Sequence, residues 1–458
     1  MAIATTNPAT GETVQEFDAL TSEQLEEKVQ RSWDTFRTYR DTTFEQRAGW
    51  MRAAADILDA ETDRLAELAT LEMGKTFAAA KAEVAKCALG CRWYADHAPE
   101  HLADHPWDPA DAPGNAKVFT RYQPLGPILA IMPWNFPYWQ VFRFLCPALM
   151  AGNTGLLKHA SNVPQVAMAI EDVLNRAGFP EGVFQTLLVG SSVIEGLVDD
   201  DRIRGTTLTG SEPAGREVGG RAGQDVKPSV LELGGSDPFI VMPSTDLDST
   251  VDAAISSRML NNGQSCINAK RLIVHEQVYE EFQRLLVEKI EALKVGDPMA
   301  EDTDLGPMSG SAGLEELDQQ VQDSVAAGAK LLTGGKPLGG PGNYYPPSVL
   351  AEIPKNARAY YEELFGPVAL LFRAKDIDDA IAIANDSDFG LGGSAWTQDP
   401  EEAERFANEV ESGMIYINKV TASTPEVPFG GMKNSGYGRE LASFGTLSFV
   451  NAKTVWMQ

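Results

Sequence analysis

The sequence predicts an α/β protein in which helices open the chain, two α/β segments follow and a β-type tail closes it. Residues 24–103 are rich in Ala, Leu, Glu and Arg, with apolar positions at three- and four-residue intervals and only isolated glycines, the pattern of helices. From Gly126 the texture changes to short apolar runs, ILAIM, TGLLK, FQTLLVG and GTTLTG, separated by helical stretches at 163–176 and about 191–199. Short buried strands alternating with helices imply a parallel sheet.

A second α/β segment begins near Leu233. Here PFIVM and RLIVH are predicted strands, while 248–261 and 276–293 are predicted helices. The stretch GGKPLGGPGNYYPPSVL at 334–350 holds too many glycines and prolines for a continuous element and is expected to be a loop feeding an edge strand. The final run, about 445–458, contains LSFV and TVWM and is expected to form a β-type tail tied to another domain or offered to another subunit.

A chain of 458 residues exceeds what one core usually fills, so two or three domains are expected. The excess of 65 acidic over 38 basic side chains, a formal charge of −27, repels nucleic acid and anionic membranes, and no basic tract overcomes it. The same excess suits solubility in high salt, where self-repulsion is screened. No apolar run approaches the length of a membrane span and no secretory leader is evident, so a cytoplasmic protein is expected. The four cysteines, Cys87, Cys91, Cys146 and Cys266, are too sparse to staple such a chain, and no metal site is predicted from them.

Four stretches carry residue types suited to chemistry. In RGTTLTGSEPAGREVG an apparent strand runs into Gly210 and Ser211 with Gly215 four positions on; an exposed helix start there suits a pyrophosphate, although the pattern equally describes an ordinary strand–helix turn. In VLELGGSDPFIV, Glu232 sits in an apolar run before two glycines, where a carboxyl is either a general base made basic by desolvation or a side chain that reaches solvent. In NNGQSCINAKRL, Cys266 follows a polar, glycine-containing turn whose amides suit a thiolate and an oxyanion; the alternative is a buried strand cysteine. In IMPWNFPYWQ, two prolines bracket Trp134, Asn135 and Phe136, which fixes a turn that presents the Asn135 amide as an oxyanion donor, or else a packed aromatic loop.

Together these stretches resemble the aldehyde dehydrogenase superfamily. The likeness runs over essentially the whole chain: PWNFP at 133–137, TGS with Gly215, LELGG at 231–235, GQSC at 263–266, EELFGPV at 362–368 and PFGGMKNSGYGRE at 428–440, in family order. The resemblance implies a Rossmann-like cofactor domain (1–105 and 125–233), an α/β catalytic domain (234–435) and a small β oligomerisation element (106–124 and 436–458), assembled as a homodimer or homotetramer. It further implies Cys266 as nucleophile, Glu232 as general base, and Asn135 with the Cys266 amide as oxyanion donors. Lys158 would contact the cofactor ribose, Gly210, Ser211 and Gly215 would lie near its pyrophosphate, Glu363 would bind the nicotinamide ribose, and Phe365 and Trp134 would wall the nicotinamide site. A base at 232 points to hydrolysis of the thioester rather than its transfer to coenzyme A.

Relatives that prefer NAD often carry glutamate at the position of Ser161. A glutamate would repel a 2′-phosphate, whereas Ser161 and the nearby charge of Lys158, with a possible contribution from His159, favour NADP, NAD being the alternative. Arg143 stands where members acting on succinic semialdehyde often have arginine, and an arginine in an aromatic channel suits a distal carboxylate; the alternative is a salt bridge to an internal acid. Ser423 is a candidate second carboxylate donor, and Trp139 and Phe429 are candidates to line the channel. The expected substrate is therefore a small, carboxylate-bearing aldehyde, most similar to that of NADP-dependent succinate-semialdehyde dehydrogenases. The rivals are glutarate semialdehyde or an uncharged aliphatic aldehyde, and a non-catalytic structural relative. Asn268 stands where some members have a second cysteine, so no disulfide to Cys266 is expected.

Overall fold

The computed structural model describes residues 2–110 and 112–458. The helical opening is realised as four helices, Ser22–Tyr39, Phe44–Ala60, Thr62–Met73 and Phe77–His101. Local chemistry starts the first two. Thr21 accepts from the Gln24 N–H at 3.3 Å while the Gln24 side chain accepts from the Thr21 N–H at 2.9 Å, and Thr43 and Gln46 repeat this reciprocal cap. A hairpin of Ile3–Thr6 and Thr13–Phe17 precedes the helices. Its strands are only 4 and 5 residues long, too short for a periodic signal to reveal them.

The first α/β segment forms a six-stranded sheet. Pro127–Met132 lies between Thr154–His159 and Gly205–Thr209; Phe184–Thr186 extends one side, Ser229–Glu232 and then Gly436–Tyr437 the other. All neighbours are parallel except the last pair. The chain moves outward on one side of Pro127–Met132 and then crosses to the other. This creates a switch point between Pro127–Met132 and Gly205–Thr209, and their carboxyl ends flank a crevice.

The second segment forms a seven-stranded sheet in the order Lys330–Thr333, Ser348–Ala351, Val368–Ala374, Arg271–His275, Pro238–Val241, Ser394–Trp396 and Tyr416–Ile417. The Gly/Pro-rich loop does feed Ser348–Ala351, but that strand is covered by the antiparallel Lys330–Thr333, which takes the edge instead. All four of its residues are buried, as an inner strand requires.

A third sheet pairs Val450–Met457 with Lys117–Pro124 through eight antiparallel partners and adds His105–Trp107. The tail begins differently from expectation. Leu447 ends a short helix, Ala442–Leu447, and only from Val450 is the chain extended. Gly436 and Tyr437 pair with the first sheet rather than this one. Among the described residues no helix is long and apolar enough to cross a membrane, and no group of three or more His, Cys, Asp or Glu side chains is arranged to hold a metal ion.

Candidate active site

The carboxyl ends of three strands of the first sheet deliver Pro133, Trp134 and Asn135, then Thr209, Gly210 and Ser211, then Leu233 and Gly234, to one cavity of about 290 Å³. The second segment closes it with Cys266, Glu363 and Phe365. The sequence signals that lie far apart along the chain therefore meet at the switch point, the usual place for a ligand in such a sheet.

Cys266 follows a turn with unusual backbone. Asn261, Asn262 and Gly263 all have positive φ, at 57°, 57° and 75°. A Cβ at Gly263 would lie 2.4 Å from the Gly366 carbonyl carbon, so the close approach of the two loops requires glycine. Buried amides hold the asparagines in this left-handed region. Asn261 Nδ2 donates to the carbonyls of Asn135 and Gln264 at 2.8 and 3.0 Å, and Asn262 Nδ2 donates to those of Gly74 and Pro307 at 2.9 and 3.0 Å. Asn135 Nδ2 in turn donates to the Gln264 carbonyl at 3.1 Å, which leaves its second amide hydrogen for a ligand. Lys270 Nζ donates to the carbonyls of Ser265 and Cys266 at 2.7 and 2.8 Å and lies 3.0 Å from Glu363 Oε1. Asn268 holds the same turn through Arg258 and Leu260 carbonyls. Burial pushes the Cys266 thiol up to about 12, against the opposing charges of Lys270 and Arg143, so the resting group is the thiol.

Glu232 ends its strand fully buried, and neither oxygen has a hydrogen-bond partner among the described residues. Burial holds its carboxyl well above the usual carboxylate range, and Glu440 pushes it the same way while Arg143 and Arg439 oppose. Its carboxyl backs onto Gly430, whose added Cβ would fall 2.7 Å from Oε1, and it is not part of the cavity wall.

Arg143 requires a correction. It does not face the cavity as a free cation: its Nε forms a buried ion pair with Glu440, its Nη2 donates to Thr209 Oγ1 at 3.3 Å, and its guanidinium lies 4.4 Å from the centre of the Phe429 ring. An isolated charge at 3% exposure would be costly, and Glu440, distant in sequence, neutralises it. The Phe429 ring thus underlies Arg143 rather than lining the cavity. Trp139 and Ser423 do meet, the indole Nε1–H donating to Ser423 Oγ at 2.9 Å, and Gln140, the residue after Trp139, is the one that lines the cavity.

The model of the aldehyde dehydrogenase family matches residues 1–455. The chain belongs to that family. Relatives include succinate-semialdehyde dehydrogenase [NADP(+)] 1 of Mycobacterium ulcerans, 57% identical over 458 residues with both chains covered in full. The succinate-semialdehyde dehydrogenase [NADP(+)] of Mycobacterium avium is also 57% identical, over all of this chain and 97% of its own. Among solved structures, succinic semialdehyde dehydrogenase from Streptococcus pyogenes in complex with NADP+ is 36% identical, with a TM-score of 0.96 and 99% of each chain covered. The chain is accordingly an aldehyde dehydrogenase, oxidising an aldehyde with NAD(P)+ through cysteine catalysis.

The residues of this aldehyde dehydrogenase fit a nicotinamide nucleotide. The helix Glu212–Gln224 starts at Ser211 without a side-chain cap, and Gly210 and Ser211 border the cavity, so the uncapped, positive end of the helix adjoins it. Glu363, whose Oε1 pairs with Lys270 at 3.0 Å, lines the cavity, and Phe365 and Trp134 stand edge to face at 5.8 Å on the same wall. Gly215 is displaced from this role. Its missing Cβ makes room for Leu233, 2.5 Å from where that atom would be, so it serves helix–sheet packing. Lys158 is part-buried with no ion-pair partner among the described residues, and burial lowers its pKa. Ser161 lies outside the main cavity, beside a small hollow walled by Ile3, Pro164 and Leu187–Val189. His159 supplies no charge there. Its Nε2–H donates to the Pro137 carbonyl at 2.9 Å while Nδ1 accepts from the Ala160 N–H at 2.9 Å, and burial pushes it down to about 4.

Sequence reasoning missed Thr209, Gln140, Lys270, Asn261 and Glu440. For Asn261 a signal exists in the NNG run, because asparagine and glycine tolerate positive φ. For Lys270 and Glu440 none does, since their partners lie in other elements.

Proposed function

We propose that this aldehyde dehydrogenase oxidises succinic semialdehyde to succinate with NADP+. The observation that carries the catalytic reading is the meeting of Cys266 and Asn135 on one cavity wall, locked by the hydrogen bonds of Asn261 and Gln264. The Cys266 thiol gives its proton to water and its sulfur adds to the aldehyde carbonyl, while the free Asn135 amide hydrogen stabilises the oxygen as it gains charge. When bound, the nicotinamide supplies the hydride acceptor; Gly210, Ser211, Glu363, Phe365 and Trp134 would hold it. The thioester left on Cys266 is then hydrolysed by water that Glu232 activates. That role requires the Glu232 carboxyl to turn from Gly430 into the cavity and give up its proton, and the desolvation that disfavours its charged form makes it a strong base once it does.

The names of the mycobacterial and streptococcal relatives support the substrate and cofactor classes. Ser161, where no carboxylate would repel a 2′-phosphate, and the unpaired Lys158 support NADP over NAD. The exposed Trp456, Met457 and Trp107 of the third sheet support its use between copies, in a homodimer or homotetramer. The Arg143–Glu440 pair favours a second reading, an uncharged aliphatic aldehyde. Steady-state reduction of NADP+ with succinic semialdehyde and with butanal separates the two. A kcat/KM higher for the semialdehyde by about tenfold or more is expected; equal values would give the second reading.

A further inference from the structure

With Arg143 spent on Glu440, the substrate carboxylate needs another cation. The helix Phe77–His101 offers one. Lys86 projects from it onto the face of the Trp139 indole, its Nζ 4.4 Å from the ring centre. Trp139 joins two donors, because its N–H donates to Ser423 Oγ at 2.9 Å while its face carries the Lys86 ammonium. Trp139 immediately precedes Gln140, which lines the cavity that holds Cys266.

Two of the neighbouring cations are already paired. Arg143 pairs with Glu440, and Lys75 pairs with Glu83, each pair fully buried. Burial, and then Glu440, disfavour the charged form of Glu232. Lys86 is part-buried yet makes no ion pair and no hydrogen bond with any described residue. Burial, and then the nearby Arg143, push its ammonium down to about 8, a penalty that an anion beside it would relieve. Ser423 has a matching vacancy in its bonding. Its oxygen accepts from Trp139, and no described residue accepts its own hydroxyl hydrogen.

We infer that Lys86, with the Ser423 hydroxyl, anchors the carboxylate at the far end of a semialdehyde substrate, the two donors being spaced by the Trp139 indole to which both are fixed. The anchor rests on the proposal that the substrate bears a carboxylate. Lys86 acts as a specificity-determining residue and takes no part in the bond changes at Cys266.

The test compares kcat/KM for succinic semialdehyde and for butanal in the wild-type enzyme, Lys86→Met and Lys86→Arg, all with saturating NADP+. The wild type is expected to prefer the semialdehyde. Lys86→Met is expected to reduce that preference at least about tenfold, the loss falling on KM for the semialdehyde, and Lys86→Arg to retain most of it. If the wild type prefers the semialdehyde and Lys86→Met prefers it equally, the anchor is overturned and the semialdehyde reading stands. If the wild type shows no preference, both fall. Equal loss on both aldehydes in Lys86→Met, carried by kcat, would make Lys86 a packing residue and also overturn the anchor.

Discussion

Glu232 has two buried oxygens and no hydrogen-bond partner for either among the described residues, so its protonation responds directly to what surrounds it. Glu232→Gln keeps the shape and removes the ability to take a proton from water. Hydride transfer should survive this change while deacylation fails, giving a burst of reduced nucleotide close to one equivalent and a steady-state rate lower by about 100- to 10,000-fold. Rapid-mix spectrophotometry with mass spectrometry of the trapped acyl-enzyme checks this; unchanged turnover without an acyl adduct would remove Glu232 from the mechanism. At this scale the sequence was informative where residue type itself carries chemistry. Cys266 and Asn135 reach the cavity wall from stretches singled out for their composition. Arg143 reads first as an anchor for a substrate carboxylate, with a salt bridge to an internal acid as the alternative, and its partner was not legible because Glu440 is supplied by a loop roughly three hundred residues away. Lys86 resembles an ordinary solvent-facing lysine of an amphipathic helix, and only the arrival of Trp139 from another helix changes its surroundings.

At the scale of elements, the helix Trp139–Ala151 begins inside the protein, where its free N–H groups need acceptors. Glu83 supplies them, its Oε1 accepting from the Tyr138 and Trp139 N–H groups at 2.8 and 2.9 Å while its other oxygen pairs with Lys75. Lys75 also lies 4.3 Å from the centre of the Phe136 ring, so one buried pair fixes both the PWNFP turn and the helix behind it. Glu83→Ala would strand the Lys75 charge and the two N–H groups, and should cost about 3–5 kcal/mol of stability. Chemical denaturation measures this, and Glu83→Ala and Lys75→Met together should lose less than the sum of the single changes. The opening helices and the inner strands Pro127–Met132, Thr154–His159, Gly205–Thr209, Pro238–Val241 and Arg271–His275 were legible because burial imposes period and composition on them, whereas Val368–Ala374 and Ser394–Trp396 were not predicted. The edge position of Lys330–Thr333 and the helical start of the tail were not, because pairing partners and not local pattern decide them.

The whole molecule carries a charge of −27, and its self-repulsion opposes the compact state at low ionic strength. Added salt screens that repulsion, with a Debye length falling from about 10 Å at 0.1 M to about 3 Å at 1 M. The thermal unfolding midpoint should therefore rise between dilute buffer and molar potassium chloride; a midpoint that stays constant or falls would show that the acidic surface does not limit stability. The turn before Cys266 has a consequence at the same scale. Asn261 bonds it to the Asn135 loop of the first sheet, and Asn262 bonds it to the carbonyls of Gly74 and Pro307. The seam between the two large sheets is thus riveted at the nucleophile itself, so a hinge between them has its pivot at the reaction centre. Swinging the halves apart would widen the nucleotide side of the crevice while the spacing between thiol and amide stayed nearly constant.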